Sequence, residues 1–204
     1  MGFDFQKAIT QFTKLAGEIK ATNNGDFVDF TKAMDRALAL IQTQTKAGHK
    51  IIFIGNGGSA AISSHMATDY MKNGGVRAVS FNDPSLLTCL SNDYSYTEAF
   101  EKCVERFADS GDILVAISSS GQSKNILNSV ETACAKGCSV VTLSGFNAEN
   151  PLRNKGMLNF YVDSHKYSYV ENLHLLVCHI ILDGLMAENS SQPVATRIIA
   201  ANQL

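Results

Sequence analysis

The sequence writes one local pattern twice. Ile51-Ile52-Phe53-Ile54 runs into Gly55-Asn56-Gly57-Gly58-Ser59, and the apolar run Asp112–Ile117 ends in Ser118-Ser119-Ser120-Gly121-Gln122-Ser123. Each is a short strand-like run, a cluster of small polar residues, and then the start of a helical stretch. Strands joined through helices in this way pair in parallel, and the helices cover both faces of the sheet. The repeat also leaves two helix N-termini, where unpaired N–H groups and a partial positive charge attract phosphate. A pocket for a small phosphorylated molecule is expected there.

The rest of the chain extends the alternation. Phe5, Ala8, Ile9, Phe12, Leu15, Ala16 and Ile19, then Phe27, Phe30, Met34, Ala37, Leu38 and Ile41, fall at helical spacing. They predict two helices broken at Asn23-Asn24-Gly25-Asp26. Both precede the first expected strand and so should lie outside the α/β core, with faces for packing or for a subunit interface. A helix from Ser59 to Lys72 is closed by Gly74-Gly75. A short strand at Ala78–Phe81 follows, then a short helix opened by Asp83-Pro84-Ser85 and a helix from Tyr96 to Ala108. After the strand Asp112–Ile117 come a helix Ser123–Lys136, strands Ser139–Leu143 and Leu158–Val162, and a last long helix Tyr169–Glu188. The expected organisation is one α/β domain over 1–204: a helical extension at 1–48, a core at 49–188 and a tail at 189–204 that is polar, then weakly apolar (Ile198, Ile199, Leu204).

Composition excludes several classes. The 204 residues are 45% hydrophobic and 18% charged, ordinary for a globular protein with one core. A net charge of −2, with no run of Lys or Arg, gives no reason to expect a nucleic acid or an anionic membrane as partner. Met1-Gly2-Phe3-Asp4-Phe5 lacks the basic and apolar regions of a signal peptide, and no apolar run approaches the roughly 18 residues of a membrane span. A cytoplasmic protein is expected. The five cysteines are scattered, and Cys134 and Cys138 have no second pair to complete a zinc site. All read as buried, reduced thiols.

Ser118, Ser119, Ser120 and Ser123 surround Gly121. Hydroxyls and helix-start N–H groups together can bind three phosphate oxygens without Lys or Arg. One serine would suffice to cap the helix. The Asn56-Gly57-Gly58-Ser59 turn lets backbone approach a ligand closely, since glycine has no Cβ. It is not a dinucleotide fingerprint: the glycine spacing is wrong, and no acidic residue ends the next strand near Phe81.

These turns, taken with His65 and Ser91-Asn92-Asp93, resemble the sugar isomerase (SIS) family, and more closely its phosphoheptose isomerase branch, over nearly the whole chain. The resemblance implies a three-layer, flavodoxin-like parallel sheet with two extra N-terminal helices, and a homotetramer with active sites between subunits. It implies an aldose–ketose isomerase that converts sedoheptulose 7-phosphate to D-glycero-D-manno-heptose 7-phosphate through an enediol, for heptose-containing glycans. It puts the phosphate on Ser118, Ser119, Ser120 and Ser123, and the sugar on Asn56, Gly57, Gly58, Ser59, Asn92, Asp93 and Glu171. It also implies one zinc ion per subunit, held by His65, Asp69, Glu171 and His179.

Four residues turn a helix by about 400°, so His65 and Asp69 share a face. Glu171 and His179 are separated by about 12 Å of helix rise, and both reach one ion only if their side chains converge. Two departures mark this chain within the family. The family's metal-site Glu is Asp69 here, and its Gln is Glu171. The family's Arg-Ile-Gln-Glu segment reads Tyr169-Val170-Glu171-Asn172, which leaves the exact sugar open. The candidates for the base are Asp69 or Glu171 on one side and His179 on the other. Each residue also has an ordinary reading: His65 with Asp69 as a surface pair, Glu171 as a first-turn carboxylate facing the helix dipole, His179 as a core histidine. His174 is expected on a helix surface or interface, and His165 in a polar loop. Two rival functions stand beside the isomerase. One is a non-catalytic SIS scaffold that binds the replication initiator and has no need of His179; the other is a sensor or isomerase of a different sugar phosphate.

Overall fold

The structure, a computed structural model, describes residues 2–191. The rest of the expected tail, with Ile198, Ile199 and Leu204, lies outside the described residues. The chain opens with α1 (Phe5–Ala16), capped by Asp4, whose carboxylate accepts a hydrogen bond from the Lys7 N–H at 2.9 Å. Sequence periodicity misread the next segment. Instead of a simple helix break there is a hairpin, β1 (Lys20–Asn23) and β2 (Asp26–Val28), paired antiparallel. Its turn is Asn24-Gly25, both with positive φ (51° and 87°). That conformation suits Asn-Gly and matches the twist of the flanking strands.

Helix α2 (Phe30–Lys46) leads to β3 (Ile51–Gly55), α3 (Gly58–Lys72) and β4 (Ala78–Ser80). Next come α4 (Pro84–Asp93), α5 (Ala99–Phe107), β5 (Ile113–Ser118), α6 (Lys124–Ala135) and β6 (Ser139–Gly145). A 3-10 turn at Pro151–Asn154, β7 (Leu158–Val162) and α7 (Tyr167–Ser191) complete the described residues. Strands β3 to β7 pair in parallel, as the alternation required. The sheet as a whole is mixed rather than parallel, because β1 adds antiparallel to β7 and carries β2 at the edge.

The strand order is β2-β1-β7-β6-β5-β3-β4. Within the parallel part, the chain goes from β3 out to β4 and then back across to β5, as in flavodoxin-like sheets. The order reverses between β3 and β5, and ligands of such sheets bind in the crevice beyond the strand ends at that point. The two turns singled out by the sequence follow these two strands.

Alternation along the buried strands divides the core. Ile51, Phe53, Ile113, Val115 and Ile117 pack with residues of α2, α3 and α7. Ile52, Ile54, Leu114 and Ala116 pack with α5 and α6. Helix α2 belongs to this core: Ala33, Ala37 and Ile41 are buried, so the expectation that it lies outside is corrected. Helix α7 is long and apolar enough to cross a membrane by length and composition, contrary to the sequence expectation. Its Val170, Leu173, Val177, Cys178, Ile181, Leu182 and Leu185 are buried within the fold, which is ordinary for a core helix.

Candidate active site

The turn after β3 is bound directly to the start of α6, the helix that the turn after β5 opens. Asn56 Nδ2 donates to Asn125 Oδ1 at 2.9 Å, and Asn125 Nδ2 donates back to Asn56 Oδ1 at 2.9 Å. Tyr96, in the loop between α4 and α5, donates its hydroxyl to the same Asn56 oxygen at 2.7 Å. The turns therefore form one rim. It encloses a cleft of about 260 Å³ lined by Asn56, Gly57, Gly58, Ser59, Ile117, Ser118, Ser119, Ser120, Ser123, Tyr167 and Glu171. Among the described residues, no Lys or Arg lines it.

The serines do more than cap a helix. Ser123 is the N-cap residue of α6, yet its hydroxyl makes no capping bond; it lies 3.2 Å from Ser118 Oγ. Gly121 N–H donates to the Ser118 carbonyl at 3.0 Å and to its hydroxyl at 3.2 Å, and Gln122 N–H donates to Ser120 Oγ at 3.2 Å. Ser119 Oγ is buried with no partner among the described residues. A buried hydroxyl facing a cleft without a partner costs stability, unless a ligand satisfies it.

The other helix terminus is filled by the chain itself. Glu171 lies over Gly58, the first residue of α3: a Cβ built on Gly58 would be 2.5 Å from the Glu171 carboxyl carbon. A carboxylate at a helix N-terminus is favoured by the helix dipole. Of the two anion-attracting termini, α3 thus meets an internal anion, and α6 is left for a phosphate. Gly58→Ala tests this division. The nearest atoms to the added methyl belong to the far end of the Glu171 side chain, which can turn aside, and Ala is the better helix former, so stability should hold or rise by up to about 1 kcal/mol. Displacing the carboxylate should cut turnover about 100-fold, since small misplacements of reacting groups cost that much. Thermal melts and initial rates on the one variant check both expectations.

Further along the same two helices, His65, Asp69 and His179 come together, with potential ligand atoms all within 4.8 Å of one another. His65 Nε2 is 3.5 Å from Asp69 Oδ2, and the His65 and His179 rings pack edge to face, centroids 5.3 Å apart. Glu171 is not in this group. Gly58 faces Glu171 and His65 faces His179, so α3 and α7 run side by side in the same direction. Along α7, Glu171 and His179 are eight residues apart, about 12 Å of helix rise. Two imidazoles and a carboxylate are a donor set that zinc takes, with a fourth position left for water or substrate.

Other expected site residues lie elsewhere. Asn92 and Asp93 end α4, exposed, bonded to each other at 3.0 Å and absent from the cleft lining. His174, expected at a surface, is 0% exposed. Burial pushes its pKa down to about 4, so the ring is neutral and Nε2–H donates to the Ser144 carbonyl at 3.0 Å. His165 lies in the loop between β7 and α7, as expected, and its exposed ring stacks on Phe146. All five cysteines are free, but Cys89 and Cys134 are exposed rather than buried. Sequence reasoning missed Tyr167, Tyr96 and Asn125. Tyr167 opens α7, two residues before the start expected for that helix.

The sequence pattern of the SIS domain matches residues 19–145. The phosphoheptose isomerase of Yersinia pestis is 34% identical over 182 residues, covering 85% of this chain and 90% of its own length. That of Crocosphaera subtropica is 32% identical over 165 residues, covering 78% of this chain and 84% of its own. The structure of phosphoheptose isomerase GmhA from Neisseria gonorrhoeae matches with a TM-score of 0.74 at 25% identity, covering 89% of this chain and 99% of that one. The shared pattern, the shared fold and these phosphoheptose isomerase relatives agree, and the chain belongs to the SIS domain family, in its phosphoheptose isomerase branch.

Proposed function

We propose that this chain is an aldose–ketose isomerase that interconverts sedoheptulose 7-phosphate and D-glycero-D-manno-heptose 7-phosphate. The observation that carries this reading is the cleft itself, where an open, serine-lined helix terminus faces a single carboxylate. The α6 N-terminus and Ser118, Ser119, Ser120 and Ser123 would hold the phosphate, and its distant binding energy orients the reacting carbons. Asn56, Gly57, Gly58 and Ser59 would border the sugar. Asn92 and Asp93 would contact it only if α4 or another subunit contributes to the site.

Glu171 is the base in this reading. It takes the C1 proton of the ketose; the C1–H electron pair becomes the C1=C2 bond and the C2 carbonyl pair moves to O2, giving an enediolate in which the O1 proton passes to O2. The O1 pair then forms the carbonyl at C1, and the C1=C2 pair takes the proton back from Glu171 at C2. His65, Asp69 and His179 would hold one zinc ion per subunit. Bound there, zinc would supply Lewis-acid polarisation of substrate oxygens. Exposed apolar residues on α1 (Phe5, Ile9) and α7 (Leu176, Ile180) suit a homo-oligomer, which we read as the family's tetramer, working in the cytoplasm toward heptose-containing glycans. Its named relatives do not favour the scaffold reading.

The test is the purified protein with sedoheptulose 7-phosphate, followed by NMR. Aldose should form, fall to a small fraction of that rate after chelation, and recover with zinc. Aldose formation that ignores the chelator would remove zinc from the mechanism, and none at all with zinc present would overturn the isomerase.

A further inference from the structure

Zinc at His65, Asp69 and His179 would need α3 and α7 held in register, because two ligands come from one helix and the third from the other. Within α3 the helix itself sets His65 against Asp69. Nothing within either helix sets His179 against that pair.

One side chain spans this gap. Tyr70 directly follows Asp69, and Cys178 directly precedes His179. The Tyr70 hydroxyl donates to the Cys178 carbonyl at 3.1 Å. The residue is 1% exposed, and its ring packs on Phe53 of β3 with centroids 5.3 Å apart. Its position is fixed from two directions, by the sheet beneath and by the α7 carbonyl ahead. One turn on, Gly74 lets the helices close up: a Cβ there would lie 3.0 Å from Leu182 and 3.3 Å from Leu185.

We infer that Tyr70 is a positioning residue for the metal group, its hydroxyl fixing the height of His179 on α7 relative to His65 and Asp69 on α3. The inference rests on the zinc reading above. Such bonds act on affinity, because a site already assembled has less ordering left to do when the ion arrives, and outer partners of metal ligands commonly change affinity by about 10- to 100-fold.

The test is zinc affinity, measured by chelator competition, on the full chain and on Tyr70→Phe. The variant keeps the ring on Phe53 and leaves the Cys178 carbonyl a lone pair short of one partner. Zinc affinity should fall about tenfold or more, while the unfolding midpoint of the metal-free protein changes by only a few degrees. Leu173→Ala, a cavity on α7 away from the group, is the comparison: it should lower the midpoint further and leave zinc affinity within about twofold. Tyr70→Phe within twofold of the parent would overturn the inference. So would losses of zinc affinity that follow the midpoint alike in both variants. A parent chain that binds no zinc would overturn the metal reading as well, whereas aldose formation by that same chain would still leave the isomerase standing.

Discussion

Glu171→Gln should lower kcat by about 100- to 10,000-fold, the range that a positioned general base supplies, with KM within a few-fold of the parent. The amide fills the same volume over Gly58, so the cleft keeps its shape. It loses only the capacity to accept a proton. The alternative owner of that role is Asp69, and the two differ in place. Asp69 lies against His65 in the group suited to metal. Glu171 lines the cleft with the serines. If Asp69 works through zinc, Asp69→Asn should lose activity that excess zinc partly restores, because a neutral ligand binds the ion more weakly without removing the base. No amount of zinc should rescue Glu171→Gln. Substantial activity in Glu171→Gln, with none in Asp69→Asn at any zinc concentration, would move the base to Asp69. That outcome is a real contest, since the change recreates the residue found in the family at this position.

Legibility in the sequence followed the range of the forces involved. The central parallel strands β3, β5, β6 and β7 were readable because they are short apolar runs buried on both faces, and the turns after β3 and β5 because their small residues are required locally. The hairpin before α2 was not. Its strands have four and three residues, too few to show alternation, and the Asn24-Gly25 turn reads as easily as a helix break. Its partner, β7, lies far along the chain. The candidate site divides in the same way. His65 with Asp69 is a local helix relation and could be read from spacing. His179 joins them only through the packing of α3 on α7, so its place came from the family resemblance. The same resemblance grouped Glu171 with the metal, and the helix rise between Glu171 and His179 already put strain on that grouping. The structure lays Glu171 over Gly58. Tyr96 with one hydrogen bond and Asn125 with two hold Asn56 in the rim across the fold, and no periodicity announces such links.

Gly121→Ala should cost the phosphate loop more than its one methyl group suggests. Gly121 has a φ of +63°, and a Cβ there would overlap Asn150 Oδ1. Asn150 cannot give way cheaply. It is buried, its Nδ2 donates to the carbonyls of Gly145 and Asn147 at 3.2 and 2.8 Å, and its Oδ1 accepts from Arg153 N–H at 3.2 Å. Gly121 and the 3-10 turn are also joined by Leu152 N–H, which donates to the Gly121 carbonyl at 3.2 Å. The left-handed backbone alone costs an L-residue about 1–2 kcal/mol, and each buried polar group left unpaired adds about 1–3 kcal/mol. A total of about 3 kcal/mol or more should lower the unfolding midpoint by about 6–12 °C in a chain of this length. Relief by moving Gly121 instead of Asn150 would shift its N–H away from Ser118 and open the loop. KM for the sugar phosphate should then rise at least about tenfold, since a single charge-assisted hydrogen bond to the phosphate is worth that much. The two escapes have different signatures: a lower midpoint with KM unchanged means that Asn150 moved, and a raised KM with the midpoint nearly held means that the serine loop did. A variant unchanged in both would show that the loop has slack, and the serines would then lose their standing as a preformed phosphate site.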